Sequence, residues 1–356
     1  MRIVVTGASG NVGTALLRRW RGSGHDVVGV ARRAPGGGVA ELAGQWVDCD
    51  LADPDQAAGL FRVFRGADAV VHLAWALQPM RDRGYQRRVN LAGSTLCVAE
   101  AARAGVGQVV VASSVGAYSP GRGVQLVDEA WPTGGVEGCG YSRDKAALEA
   151  LLRDLGRDEL LARTRLAWVR PALVAQRSAG SELMRLGLPV LMPRGLPRRL
   201  PVWGVDRRMG LQVVHADDVA DAIARIVERG ASGPFNLVTE PVLRGGDIAA
   251  AFGARPVHVP WRLTRALADL AWRTRLGPLD PGWITMAHTI PWASAARART
   301  LLDWSPRHGA TQVLGELVAG MAEGAGADTA PLRPHSHVED LSRLVRHGPV
   351  SDRDRA

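Results

Sequence analysis

Short apolar runs alternate with amphipathic stretches through the first half of the chain. Ile3-Val4-Val5, Asp26–Val30, Trp46–Leu51, Ala69–Ala74, Gln108–Ala112 and Arg165–Arg170 have the length and composition of strands. Helical patterns separate them. One starts at Thr14-Ala15-Leu16-Leu17. Another opens at Asp53-Pro54, with Asp53 as N-cap and Pro54 at the first helical position. A third runs from Asn90 to Arg103. This alternation predicts an α/β fold with a doubly wound parallel sheet.

The pattern changes after Arg170. Residues 173 to about 211 are rich in Leu, Pro and Arg. Strand and helix signals return over 212–240, where Asp217 or Asp218 is expected to cap a helix from Val219 to Arg229. The predicted organisation is a dinucleotide-binding domain over 1–172, rejoined by 212–240. A smaller, interleaved C-terminal substrate lobe takes 173–211 and 241–325, and a mobile polar tail takes 326–356. Trp261, Trp272, Trp283, Trp292 and Trp304 fall in or near that lobe, and Trp75 lies near the expected site entrance. They suit either an apolar substrate pocket or core packing.

Two motifs carry chemistry. The first strand runs into Gly7, Gly10 and Gly13 with Asn11 and Val12 between them, and then into a helix. Glycines let the backbone turn tightly against a pyrophosphate, and the helix N-terminus presents free N–H groups. The second is Tyr141 with Lys145. Tyr141, Lys145, Leu148 and Leu152 recur at helical spacing, so phenol and ammonium share one face. Lys145 is the only lysine among 44 basic residues. An ammonium on a flexible stem does something there that a guanidinium does not. After the second strand stand Ala31, Arg32 and Arg33 rather than a carboxylate. Two guanidiniums suit a 2′-phosphate, so NADP is expected ahead of NAD.

Composition adds mainly exclusions. The formal charge is +9, but the arginines are scattered as pairs and no nucleic-acid motif accompanies them. No apolar run approaches the roughly 18 residues of a membrane span, and the chain reads as cytoplasmic with no membrane or nucleic-acid partner. Cys49, Cys97 and Cys139 lack ligand spacing. His215 lacks companion ligands, so no metal is expected.

The ordered set Thr6–Gly13, Asp50-Leu51, His72-Leu73-Ala74, Asn90 with Gly93, Ser113-Ser114 with Tyr118, Tyr141 with Lys145, Arg170-Pro171 and Val214–Ala220 resembles the extended short-chain dehydrogenase/reductases, or NAD-dependent epimerase/dehydratase family. The resemblance implies a Rossmann-type domain. It places Gly7, Gly10, Asn11 and Val12 at the pyrophosphate, Asp50 and Leu51 at the adenine, and Ala74 and Asn90 beside the inner cofactor. It makes Ser114, Tyr141 and Lys145 the catalytic set. Lys145 would also bind the nicotinamide ribose, with Pro171 beside the nicotinamide. Ser114 is preferred to Ser113 because it stands four residues before Tyr118. A homodimer through the Tyr-Lys helix is a further expectation by resemblance.

A free phenol has a pKa near 10, so proton transfer at neutral pH needs about 4 kcal/mol of phenolate stabilisation, expected from Lys145 and the nicotinamide ring. Two departures from the family narrow the reaction. Val115 and Gly116 stand where its dehydratases carry an acid and a base. Leu173 stands where its nucleotide-sugar epimerases carry Asn. The expected function is an NAD(P)-dependent oxidoreductase acting on a carbonyl or secondary alcohol of a largely apolar small molecule. One alternative is a nucleotide-sugar epimerase binding diphosphate through Arg177, Arg185 or Arg194. The other is a non-catalytic dinucleotide sensor.

Overall fold

The computed structural model describes residues 1–77, 82–121, 126–187 and 199–334, with three isolated positions beyond. The strands are β1 (Arg2–Thr6), β2 (Asp26–Ala31), β3 (Gln45–Asp48), β4 (Ala69–His72), β5 (Gln108–Ala112), β6 (Leu126–Val127) and β7 (Arg165–Pro171). They continue with β8 (Leu173–Ala175), β9 (Val202–Val205), β10 (Gly210–His215), β11 (Gly233–Leu237), β12 (Thr239–Arg244), β13 (Arg255–His258) and β14 (Trp292–Ala293).

Seven of them form one sheet, ordered β11-β7-β5-β4-β1-β2-β3 and parallel throughout. Parallel strands joined by helical crossovers are covered on both faces, which is why the runs are apolar rather than alternating. Ile3 and Val5 pack into one core with Leu16, Leu17, Ile223 and Ile226. Val4 packs into the other with Leu60, Val98, Leu148 and Leu152. Strand order reverses at β1, with β2 and β3 to one side and β4, β5, β7 and β11 to the other. Ligands of open α/β sheets bind at the carboxyl ends of strands beside such a reversal.

The return of residues 212–240 is divided. Helix Ala216–Arg229 and β11 rejoin the large sheet, but β10 pairs with β8 and β12 in a separate three-stranded sheet. Helix Ala310–Glu323 covers that sheet through Val313, Leu314 and Leu317. His215, not Asp217 or Asp218, caps the 216–229 helix: its Nδ1 accepts from the Asp217 N–H at 3.1 Å. Asp218 instead accepts from the backbone of Arg307 and His308, fastening the chain beyond Trp304. Residues 326–334, expected within the tail, are packed onto the protein. Leu332 is fully buried, and Arg185 donates to the carbonyls of Pro331 and Arg333 at 2.8 and 2.9 Å. Beyond 334 the tail lies almost wholly outside the described residues.

Candidate active site

β1 runs into Gly7, whose φ of +69° belongs to the left-handed region. A Cβ on Gly7 would lie 2.6 Å from the Ala74 nitrogen, so the loop after β4 is pressed onto the glycine turn. A Cβ on Gly13 would lie 2.6 Å from the Ala8 carbonyl oxygen, which fixes how closely helix Asn11–Trp20 follows the loop. Gly10 caps that helix without a side chain, leaving its first N–H groups open to an anion. This backbone cradle fits a dinucleotide pyrophosphate. The Asn11 side chain faces elsewhere: its amide donates to the Val174 carbonyl at 3.1 Å and accepts from Gln176 at 2.7 Å. Asn11 therefore ties the loop to β8, and Val12 packs partly buried against the core.

At the ends of β2 and β3, Arg32 donates to the Tyr85 hydroxyl at 3.1 Å. That hydroxyl faces both Asp50 oxygens at 3.5 Å. Arg33 is exposed beside it. Asp50 closes its own turn on the Ala52 N–H, and Leu51 is buried under Gly93, where a Cβ would lie 2.7 Å from the Leu51 carbonyl. Asn90 clamps the Ala76 backbone from both sides, at 2.7 and 3.0 Å. Asn90 thus shapes the loop after β4. His72 bridges Thr6 at 2.7 Å and Ser94 at 2.8 Å. Burial first, and Lys145 second, pull its pKa down to about 3, so the ring stays neutral.

Ser114 follows β5, and its hydroxyl accepts from the Gly116 N–H at 3.0 Å. Tyr141 lies in the first turn of helix Gly140–Leu155, and its ring and the Ser114 hydroxyl both lie against Gly116. Ser142 joins the two segments, donating to the Gly116 carbonyl at 2.6 Å and accepting from Val136 at 2.7 Å. Lys145 is one turn further on. Its ammonium donates to the Ala112 carbonyl at 2.8 Å and sits 3.4 Å from the Trp75 ring centre. Pro171 is buried at the end of β7, paired with Leu237.

Without a bound nicotinamide, the phenol of Tyr141 is pushed away from ionisation. Burial pushes its pKa up to about 12, partly offset by Ser114. Burial pulls Lys145 down to about 7, against the attraction of Glu149 and Asp144. Within the protein alone, the phenol stays protonated.

Behind this set lies a buried polar network. Ser113 donates to Glu149 at 2.6 Å, and Arg170 grips both Glu149 oxygens at 2.8 and 2.6 Å. Arg170 also donates to Tyr118, which donates to Asn236 at 2.8 Å. Ser113 is thus held away from the reacting face. In front, the site is aromatic and apolar. Trp283 stacks on Tyr141 with centroids 4.5 Å apart, and Trp75 meets the same ring edge-on. A Cβ on Gly116 would lie 3.0 Å from Tyr141 and 3.1 Å from the Met286 sulfur. Trp283 and Met286 come from helix Pro281–Thr289, seated so closely that a Cβ on Gly282 would lie 2.7 Å from Cys139 Cα. Cys139 is buried, and its thiol is pushed up to about 11 by burial.

Sequence reasoning missed Glu149, Ser142 and the Arg83–Asp144 pair, which clasps the same helix at 2.9 Å. Glu149 stands four residues after Lys145, where one helical turn returns it to the same side. That spacing was the available signal. Among the described residues no group of three His, Cys, Asp or Glu is placed to hold a metal. No described helix is long and apolar enough to cross a membrane. Arg177 pairs with Glu323 and Arg185 with the 331–333 backbone, while Arg194 lies outside the described residues.

Strand order, glycine turn and the gathering of these side chains at the carboxyl ends of the strands define a Rossmann-type α/β protein. The chain belongs to the NAD-dependent epimerase/dehydratase family, whose model matches residues 3–237. An uncharacterized protein of Mycobacterium tuberculosis is 30% identical over 276 residues, 76% of this chain. The chain spans only 25% of that relative's length. A 3-diazoavenalumate denitrifying reductase of a Streptomyces species is 28% identical, covering 86% of this chain and 97% of that protein. The Thermus thermophilus UDP-glucose 4-epimerase in complex with NAD superposes with a TM-score of 0.66 at 20% identity, over 90% of this chain and 99% of that one.

Proposed function

We propose that the protein is an NAD(P)-dependent oxidoreductase that reduces a carbonyl, or oxidises the matching secondary alcohol, on a largely apolar small molecule. The observation that carries this reading is the Tyr141 phenol, gathered with Ser114 around Gly116 and walled by Trp283 and Met286. The cradle of Gly7, Gly10 and Gly13 would hold the pyrophosphate, with Asp50 and Leu51 at the adenosine end and Ala74, Asn90 and Pro171 along the inner half. Bound there, the nicotinamide supplies or takes the hydride. Ser114 orients the substrate oxygen and polarises the carbonyl. Tyr141 delivers the proton to that oxygen as negative charge develops on it. A buried phenol pushed up to about 12 rests in the protonated state that reduction needs. Lys145, donating to Ala112, keeps further N–H groups for the ribose.

The reductase among the relatives supports the reducing direction, and the solved neighbour with NAD supports a nicotinamide site. NADP remains our assignment for Arg32 and Arg33, although that neighbour carries NAD. The epimerase alternative rests on the UDP-glucose 4-epimerase likeness. It is opposed by Leu173 and by the internal partners of Arg177 and Arg185.

Two measurements test the reading. Purified protein is denatured and its released nicotinamide quantified. Near-stoichiometric NAD favours the epimerase, whereas an empty site refilled by NADPH in preference to NADH favours the reductase. Y141F is then expected to lower turnover about 10²- to 10⁴-fold with cofactor affinity unchanged. Activity that survives this change sinks the mechanism.

A further inference from the structure

Among the described residues, exposed large apolar side chains are concentrated in one part of the substrate lobe. Val202 and Val257 on the β9–β13 ribbon are 50% and 46% exposed. The ribbon leads into helix Trp261–Arg273, which buries none of its residues. Leu263, Leu267 and Leu270 recur at spacings of four and three, so they share one face. They are 52%, 58% and 60% exposed, and Leu276 just beyond is 64% exposed. The opposite face holds the helix to the protein. Trp261 stacks on His288 with centroids 5.4 Å apart, and Arg265 donates to Thr285 at 3.1 Å.

Arginine borders the leucine stripe. Besides Arg265 on the attached face, residues 255–276 carry Arg255, Arg262, Arg273 and Arg275 against one acid, Asp269. Asp269 is itself paired with Arg273 at 2.9 Å. An apolar stripe alone would accept any apolar partner. The cationic margin selects a surface that carries negative charge over an apolar layer. A second copy of the chain would set these arginines against their own equivalents, a like-charge contact that opposes association.

We infer that helix Trp261–Arg273 is an interfacial helix that docks the protein on an anionic lipid bilayer, leucines in the acyl boundary and arginines among the headgroups. This revises the expectation of no membrane partner, which rested on the lack of a spanning run. A helix lying in the interface needs no such run. The docked helix packs on helix Pro281–Thr289, which carries Trp283 and Met286 to Tyr141. An apolar substrate dissolved in the bilayer would then reach the site one helix away.

The test is co-sedimentation of the full chain with phosphatidylcholine vesicles, with and without phosphatidylglycerol. Binding is expected to the mixed vesicles, weakened by added salt. L267E/L270E changes solvent-facing positions, so folding is retained and checked by thermal unfolding. It should weaken vesicle binding about tenfold or more, and R262Q/R273Q about fivefold or more. No binding to the mixed vesicles overturns the inference, and so does binding that L267E/L270E leaves intact. Equal binding to pure phosphatidylcholine removes the anionic selectivity. Sedimentation velocity covers the remaining occupant: a dimer that L267E/L270E dissociates, with no vesicle binding, assigns the stripe to a second copy instead. Vesicle binding needs no turnover, so its failure is distinguishable from failure of the oxidoreductase reading.

Discussion

The two sides of the Tyr-Lys helix are built on opposite principles. Behind it, Ser113, Glu149, Arg170, Tyr118 and Asn236 join in one buried hydrogen-bonded network. In front, Tyr141, Trp283, Trp75 and Met286 make an apolar aromatic wall. Directional bonds at the back hold the helix in one position. The front shapes a space by contact and sets what fits it. Damage behind should therefore register as lost stability, and damage in front as altered substrate binding.

The largest effect is expected from E149A. It leaves the Arg170 guanidinium, 2% exposed, without its carboxylate. Removing one partner of a buried ion pair costs about 3–5 kcal/mol. Denaturant unfolding measures it, and a loss under about 1 kcal/mol would show that the network does not fix the helix.

K145M separates the two sides by pH. The folded pKa of Lys145 lies near 7, below the ordinary 10.5. Between those values the unfolded chain binds a proton that the folded chain does not, so Lys145 makes stability rise with pH across that window. Tyr141 acts oppositely: its folded pKa near 12 makes stability fall as pH rises above 10. K145M should remove the rise between pH 7 and 10.5. Parallel melting profiles for K145M and the parent protein would mean that burial does not penalise the ammonium.

On the front, W283A removes the ring stacked on Tyr141. Losing that stack, about 0.5–1.5 kcal/mol, should lower the melting temperature by a few degrees, while the apolar area withdrawn from the substrate should raise KM roughly tenfold. A destabilised variant with unaltered KM would move Trp283 from the site to the core.

The sequence exposed these regions unequally. The sheet was legible because a parallel strand buried on both faces is a continuous apolar run, as in Ile3-Val4-Val5 and Val109-Val110-Val111. The glycine loop and the Tyr-Lys helix were legible because their spacing is local. Ser114 was separated from Ser113 by position alone, and the structure adds a physical reason, since Ser113 donates to Glu149. What was hidden depends on contacts between distant segments. Trp283 meets Tyr141 across 142 positions of the chain only because Gly282 lets its helix approach Cys139. Trp75 over Lys145 had no local signature either. The 216–229 cap was misassigned because Asp217 and Asp218 looked like N-caps, yet His215 holds the cap position.

The smallest effect belongs to the outer end of the proposed cofactor cleft, which neither side of the helix reaches. Arg32 is tethered to Tyr85, and Arg33 is exposed. Two guanidiniums at the end of β2 would grip a 2′-phosphate with charge-assisted bonds, weakened by solvent screening. R32Q/R33Q should therefore weaken NADPH about fivefold and leave NADH unaltered, a difference of about 1 kcal/mol. The difference should shrink as ionic strength rises and the Debye length falls below about 10 Å. Tryptophan-quenching titrations with both cofactors, at low and high salt, measure it. Equal weakening of NADH and NADPH would assign the Arg32–Tyr85–Asp50 contacts to the shape of the adenosine pocket and leave the 2′-phosphate without a partner there.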